Sequence, residues 1–217
     1  MLKKKIVIAT RNLGKFKELS ELLKINNKVE YFPVSDFNIA DPEETGKTFI
    51  DNAILKSKFA SEKTGLPAIA DDSGLEIFSL GGFPGVFSSR CAGENASDSE
   101  KMKFVLEKMK NITDRRARFV SAVSFSEPDN IDFPVFFTGY CYGIILSEPQ
   151  GVSKPGLQYD SIFYYPPLKR TFAKLSSEVK NSISHRFFAS NGMTDFLRRF
   201  LWLQTMIDQF SLENNSK

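Results

Sequence analysis

Residues 6–23 have the sequence IVIATRNLGKFKELSELL, and this stretch decides the class of fold. Its first four residues are all apolar, which predicts a short buried strand over residues 6–9. After Gly14 the apolar residues recur at spacings of three and four: Phe16, Leu19, Leu22 and Leu23. This periodicity predicts an amphipathic helix. The chain therefore begins with a strand, a loop and a helix, which is a typical opening of an α/β fold.

The later elements extend this pattern and predict a mixed α/β sheet. We expect helices over residues 48–64 and from Ser97, strands over 68–70, 119–125 and 135–145, and C-terminal helices over 176–185 and 193–210. Ser97 and Glu100 form a capping box, and Asn191-Gly192 is expected to separate the last two helices. The apolar face of the final helix is expected to comprise Phe196, Phe200, Leu203 and Ile207. We predict a single domain over residues 1–217, with two lobes at most.

Charge, cysteine content and hydropathy exclude several classes of protein. The 29 basic and 26 acidic residues leave a net charge of +3, which is too small to indicate nucleic-acid binding. Cys91 and Cys141 match no metal-ligand spacing and are too few for a disulfide scaffold, so we expect free thiols and a cytoplasmic location. No apolar run is long enough for a signal peptide or for a membrane span of about 18 residues, so we expect a soluble protein.

A first group of candidate binding residues forms the loop between the first strand and the first helix: Thr10, Arg11, Asn12, Leu13, Gly14 and Lys15. A helix N-terminus favours anions, because its amides are unpaired and the dipole is positive there. Lys15 is therefore electrostatically unfavourable in the first turn unless an anion is bound. The segment is compatible with a phosphate site, and also with an ordinary capped surface helix.

A second group is acidic. Asp71 and Asp72 are expected to follow directly after the strand over residues 68–70, where α/β sheets commonly place ligand-binding groups. Their mutual repulsion favours a hard cation such as Mg²⁺, unless the amides of an Asx turn stabilise them. The acidic turn over residues 41–48 leads into a helix on which Asn52 and Lys56, four residues apart, share a face. Taken alone, that turn is equally compatible with a solvated loop.

A third group lies near the predicted C-terminal helices. His185, the only histidine, stands beside Arg186, with Lys180 nearby, and together they could present donors to an anion or to keto oxygens. A lone histidine is more often structural. The loop over residues 156–160 is a further candidate, although it could also be a strand entry with a buried tyrosine.

Seven blocks, in order along nearly the whole chain, then carry a family resemblance: ATRNLGKFKEL (9–19), EETGKTFIDNAILKSKFA (43–60), LPAIADDSGLEI (66–77), GGFPGVFSSRCAGE (81–94), RRARFVSAVSF (115–125), TFAKL (171–175) and KNSISHR (180–186). Together they resemble the inosine/xanthosine triphosphate pyrophosphatases, which remove deaminated purine nucleotides. The resemblance implies an elongated two-lobed fold around a long mixed sheet with flanking helices and a central nucleotide cleft. It also implies a homodimer and Mg²⁺-dependent hydrolysis of ITP, dITP and XTP to the monophosphate and pyrophosphate.

The same resemblance implies roles for individual residues. Residues 10–15 and Lys56 would contact the triphosphate. Glu43 and Asp72 would bind the metal, with Asp72 as general base and Asp71 as support for the acidic pair. Ser73 would lie against the substrate, whose base and sugar would be lined by Leu157, Gln158, Tyr159, Asp160, Lys180, His185 and Arg186.

The chain departs from the family pattern at the base. The family usually has Phe-Gly-Tyr-Asp-Pro where this chain has Leu157-Gln158-Tyr159-Asp160-Ser161. Stacking on an aromatic ring is worth about 1–3 kcal/mol per base, so Leu157 is expected to weaken or broaden base selection. Two alternatives therefore stay open: a nucleotide pyrophosphatase of the similarly folded Maf type with another base preference, and a non-catalytic nucleotide-binding protein.

Overall fold

The computed structural model describes residues 3–25 and 28–215, which form a mixed α/β fold around a seven-stranded sheet. The strands are β1 (Lys4–Ile8), β2 (Val29–Pro33), β3 (Ala68–Ile77), β4 (Arg116–Ser126), β5 (Val135–Ile145), β6 (Phe163–Tyr165) and β7 (Arg170–Thr171). Their order is β2-β1-β3-β4-β5-β6-β7. β1 pairs in parallel with β2 and β3, and the pairs from β3 to β7 are antiparallel. The predicted mixed sheet is confirmed.

Five α-helices accompany the sheet in the described part of the chain: α1 (Leu13–Leu22), α2 (Phe49–Thr64), α3 (Asp98–Lys108), α4 (Ser177–Ile183) and α5 (His185–Asn215). Local chemistry sets their ends. Thr48 caps α2 in a capping box with Asp51, and Gly65 ends that helix in the left-handed conformation, with φ of 66°. The predicted capping box of Ser97 and Glu100 begins α3. None of the helices described is long and apolar enough to cross a membrane.

α2 and α5 cover opposite faces of the sheet. On one face, Phe49 and Ala53 of α2 pack with Val120 and Ala122 of β4. On the other face, the larger core cluster joins α5 and α1 to the strands, and it includes Ile8, Leu19, Ile69, Val123, Ala189 and Met193. Burying these apolar side chains holds the helices on the sheet. Because side chains alternate between the two faces along a strand, each β3 side chain points toward the face covered by one helix or the other.

The position of Asp71 and Asp72 differs from the prediction. Asp71 and Asp72 do not follow a strand that ends at Ala70, because β3 continues through them to Ile77. In register with β4, Asp71 lies opposite Val123 and Asp72 opposite Ala122. Consecutive side chains of a strand point to opposite faces. The repulsion that the adjacent carboxylates would have in a turn is thereby reduced.

The C-terminal helix differs from the predictions in two respects. No break occurs at Asn191-Gly192, since α5 runs continuously through both residues. A Cβ on Gly192 would come within 2.6 Å of Phe137 Cδ1, so this glycine permits a close approach to β5 and does not end a helix. Phe196 and Phe200 pack against the core as expected. Leu203 and Ile207, by contrast, are more than half exposed, because their part of α5 extends beyond that core cluster.

Candidate active site

A cleft of about 530 Å³ collects most of the predicted site residues. Those that line it are Thr10, Arg11, Asn12, Lys15, Lys56, Asp71, Ser73, Leu157, Gln158, Tyr159, Asp160, Lys180, His185 and Arg186. Leu13, Gly14, Glu43 and Asp72 are not among the lining residues, although Asp72 contacts Lys56 at the cleft wall. Segments far apart in the sequence therefore meet in one cavity.

The loop that begins α1 forms one end of the cleft. Asn12 is the N-cap, and its side-chain Oδ1 accepts a hydrogen bond from the Lys15 amide at 3.1 Å. The first turn contains no acidic residue, so the positive end of the helix dipole stays uncompensated within its own turn. Arg11 pairs with Asp41 at 3.0 Å and donates to the Ile39 carbonyl, which ties the loop to its neighbour. Leu13 is mostly exposed. This end of the cleft has the chemistry of an anion site.

A cluster of carboxylates around Lys56 forms the adjoining wall. Lys56 Nζ lies 2.8 Å from Asp72 Oδ1 and 2.9 Å from Glu44 Oε1. Asn52, one turn earlier on α2, donates to Asp72 Oδ2 at 3.3 Å. Burial raises the pKa of Asp72 despite the opposing ammonium of Lys56. Burial also opposes the charge on Lys56, but Asp72 and Glu44 outweigh it and raise the pKa of that lysine.

Glu44, not Glu43, joins this cluster. Glu44 also accepts from Arg90 at 3.0 Å, so its carboxylate lies between two cations. Glu43 is exposed on the outside of the turn. The sequence placed both residues in one acidic turn, but irregular backbone has no period that would indicate which of two neighbours points inward. Arg90 was missed for the same reason.

The Glu44–Lys56–Asp72 cluster fits a magnesium site in which a bound substrate supplies some of the ligands. Within the residues described, no three His, Cys, Asp or Glu side chains converge as a protein-only metal cage. Mg²⁺ in nucleotide enzymes usually takes one or two carboxylates and completes its shell with water and phosphate oxygens. In this structure the Glu44 and Asp72 carboxylates both contact the Lys56 ammonium, so two carboxylates lie close together at the cleft wall. The oxygen donors present therefore suit Mg²⁺ together with a phosphate ligand.

Asp71 belongs to a different network on the other face of β3, so it does not support the acidic pair as expected. Its Oδ2 lies 3.4 Å from Arg186 Nε and 3.5 Å from Lys15 Nζ. Its Oδ1 accepts from Ser121 at 2.6 Å. Burial opposes ionisation, but Arg186 and Lys15 hold the pKa of Asp71 well below its usual range. Asp71 is thus a buried, charged anchor for two cations of the cleft.

A backbone carbonyl and a buried ion pair hold the opposite end of the cleft in place. The Ser88 carbonyl accepts from Tyr159 Oη at 2.8 Å and from Gln158 Nε2 at 3.0 Å, which fixes the loop that carries the departure from the family pattern. Asp160 forms a buried ion pair with Lys180. Ser88 was not predicted, because a backbone carbonyl leaves no signal in the residue type.

His185 presents a neutral ring to this end of the cleft. The imidazole stacks on Phe119, with ring centroids 4.8 Å apart and planes 15° from parallel. Burial, with Arg186 and Lys180 close by, lowers the pKa of His185 well below its ordinary value. Its Nδ1 has no hydrogen-bond partner in the part of the chain that the structure describes. Phe119 was missed because it is one of 21 phenylalanines, most of which supply core bulk.

Comparisons with known proteins identify the family of the chain. A model of the Ham1 family matches residues 6–196. The chain is 45% identical over 183 residues to a dITP/XTP pyrophosphatase of Coxiella burnetii, covering 83% of this chain and 90% of that protein. It is 42% identical over 196 residues to the dITP/XTP pyrophosphatase of Escherichia coli, covering 89% and 98%.

Solved structures show the same fold. A Ham1 protein from Coxiella burnetii matches with a TM-score of 0.84 and 43% identity, over 90% of this chain and 99% of that one. The Staphylococcus aureus Ham1 protein matches with a TM-score of 0.81 and 43% identity, over 90% and 98%. Sequence and fold therefore agree, and the chain belongs to the Ham1 family.

Proposed function

We propose that this protein is a Mg²⁺-dependent pyrophosphatase that hydrolyses ITP, dITP and XTP to the nucleoside monophosphate and pyrophosphate. The observation that carries the proposal is the Glu44–Lys56–Asp72 cluster beside the N-terminus of α1. A triphosphate bound along that wall would meet a helix N-terminus, Lys15 and Lys56. The names of the relatives from Coxiella burnetii and Escherichia coli, dITP/XTP pyrophosphatases, support dITP and XTP as substrates.

Glu44 and Asp72 are the residues that would hold the metal ion. When bound, Mg²⁺ would neutralise charge on the phosphate oxygens as the anhydride bond breaks. Lys15 is half-buried in the cleft wall, and desolvation lowers its pKa. A triphosphate would compensate that cost, because it supplies an anionic partner to a desolvated ammonium. Binding and orientation of the triphosphate therefore account for much of the catalysis.

Asp72 is the residue best suited to accept a proton from the attacking water. Its raised pKa moves the carboxyl toward the range in which general bases operate near neutral pH. Asn52 holds Oδ2 and Lys56 holds Oδ1, so the carboxylate has a defined orientation. The reaction adds one water across the α–β anhydride, with the water proton passing first to Asp72.

Selection of the base follows from donors at the other end of the cleft. Arg186 and a neutral His185 can donate to the keto oxygen at purine C6. The amino group of adenine offers no acceptor there, so buried donors would be left unmatched, which is costly. Leu157 replaces the usual aromatic residue, so stacking contributes less in this chain.

The family resemblance also supports a homodimer in the cytoplasm. The free thiols of Cys91 and Cys141 are compatible with a reducing compartment. Light scattering after size-exclusion chromatography tests the dimer, and fractionation of source cells tests the location.

A panel of nucleotides tests the proposed substrates. Pyrophosphate release with Mg²⁺ is measured from ITP, dITP, XTP, GTP, ATP, dTTP and UTP at one low concentration. We expect kcat/KM for ITP, dITP and XTP to exceed that for ATP by at least about a hundredfold. Flat or pyrimidine-biased rates would contradict the proposed substrate class.

A further inference from the structure

Two cations of the cleft share one oxygen of Asp71. Lys15, on the phosphate side, lies 3.5 Å from Asp71 Oδ2, and Arg186, on the base side, lies 3.4 Å from the same atom. The Asp71 side chain is only 1% exposed, and Ser121 holds its other oxygen at 2.6 Å. The carboxylate is therefore fixed from both sides. Lys15 and Arg186 are therefore both positioned by the immobile carboxylate of Asp71.

Arg186 has a second carboxylate partner that the catalytic scheme leaves unused. Its Nη1 donates to Glu18 Oε2 at 3.2 Å, and its Nη2 donates to Ser73 Oγ at 2.8 Å. A guanidinium has five N–H groups, and these contacts with the one to Asp71 engage three of them. Two N–H groups remain for a ligand. Because the Arg186 side chain is only 6% exposed, its orientation is set by these acceptors and not by water.

Glu18 lies on the same helix as Lys15, one turn further on. Residues three apart on an α-helix are neighbours on its surface, so α1 carries both the phosphate-side cation and a partner of the base-side cation. Glu18 does not line the cleft itself. Its side chain is 17% exposed and lies against Arg186, so its effect on a ligand must pass through that arginine.

We propose that Glu18 is a positioning residue for base recognition: with Asp71 it clamps Arg186 in the orientation that meets the purine. The inference rests on the proposed function in one respect, that the ligand is a purine nucleotide. Without the Glu18 charge, the guanidinium keeps Asp71 but loses its second ionic anchor, and it can rotate away from the base. A ligand that carries a purine should then bind more weakly, whereas a ligand made only of phosphate should not.

Equilibrium binding of two ligands tests the clamp by calorimetry. IMP carries the base, and inorganic tripolyphosphate lacks it. For Glu18→Gln we expect the Kd of IMP to rise about tenfold, as for a lost hydrogen bond to a charged group, while the Kd of tripolyphosphate changes less than about twofold. Glu21→Gln is the matched control on the same helix, and because Glu21 is exposed we expect neither Kd to change. Equal weakening of both ligands, or no weakening of IMP, would overturn the proposal.

A double-variant cycle separates positioning from a general structural role. Arg186→Lys keeps a charge but loses the fork of donors, so it should weaken IMP binding by itself. Added to Arg186→Lys, Glu18→Gln should cost less than about a further twofold, because the group that it positions is already gone. A full additional tenfold loss would overturn the clamp.

These binding experiments can fail or succeed independently of the proposed pyrophosphatase activity. Neither IMP nor tripolyphosphate needs to be hydrolysed for its Kd to be measured. An inactive wild-type chain with the selective IMP effect would refute the pyrophosphatase and keep the clamp. An active chain without the selective effect would do the reverse, and a wild-type chain that fails to bind IMP would also overturn the clamp.

Discussion

Exchanging single carboxylates for amides in the acidic turn tests which glutamate serves the metal. Glu44 has an oxygen 2.9 Å from Lys56 Nζ and another 3.0 Å from Arg90 Nη1, and its side chain is 28% exposed. The contact with Lys56, whose side chain is only 14% exposed, is the more buried of the two, and a charged hydrogen bond of this kind is worth about 1.5–3 kcal/mol. Loss of one such contact in the transition state lowers kcat/KM by about tenfold to a hundredfold. We expect that loss for Glu44→Gln, with a higher Mg²⁺ concentration at half-maximal rate.

The neighbouring glutamate supplies the control. Glu43 is exposed, so Glu43→Gln should change kcat/KM less than about twofold. Arg90→Gln removes the Arg90–Glu44 ion pair but leaves the carboxylate in place, and it should reduce kcat/KM by about threefold at most. The assay is pyrophosphate release from ITP over a Mg²⁺ titration, with melting curves to confirm folding. A loss for Glu43→Gln that matches or exceeds the loss for Glu44→Gln would refute the assignment.

Three further predictions follow from the same contacts. Asp72→Asn should abolish turnover while calorimetry still detects nucleotide binding, since the amide cannot accept the proton; near-native kcat would remove Asp72 from the mechanism. Leu157→Phe should lower KM for ITP by about threefold or more, because a ring restores stacking, and an unchanged KM would place the base elsewhere. Asp71→Asn should reduce the free energy of unfolding by about 3–5 kcal/mol at pH 7, because it removes the buried charge that Lys15 and Arg186 share. Asp71 has its pKa lowered in the folded chain, so its contribution is complete above the unfolded pKa of about 3.9 and declines at lower pH. Urea titrations should therefore show the wild-type advantage shrinking below about pH 4, and an advantage that grows there would contradict the ion pairs.

Local chemistry explains why the helices could be predicted well. Thr48 and Gly65 bound α2 through a capping box and a left-handed end, and both signals are contained in a few adjacent residues. The capping box at Ser97 is of the same kind. The loop before α1 could be recognised as an anion site because the helix start and Lys15 are neighbours in the chain.

Tertiary packing explains what could not be predicted. The segment Asp71-Asp72-Ser73 contains turn-forming residues, yet pairing with β4 keeps it in a strand and separates the two carboxylates onto opposite faces. Asn191-Gly192 has the composition of a break, yet α5 runs through both residues, and Gly192 allows the helix to approach Phe137 closely. The link from Glu18 to Arg186 joins residues 168 positions apart, which no local pattern can indicate.

The identity of the products from ITP shows which anhydride bond the protein hydrolyses. The reaction with Mg²⁺ is followed by phosphorus NMR, in parallel with Asp72→Asn and with a sample that contains EDTA. We expect IMP and pyrophosphate in equal amounts from the wild-type chain, and no turnover in the other two samples. Formation of IDP and orthophosphate, or unchanged turnover in the Asp72→Asn sample, would contradict this expectation.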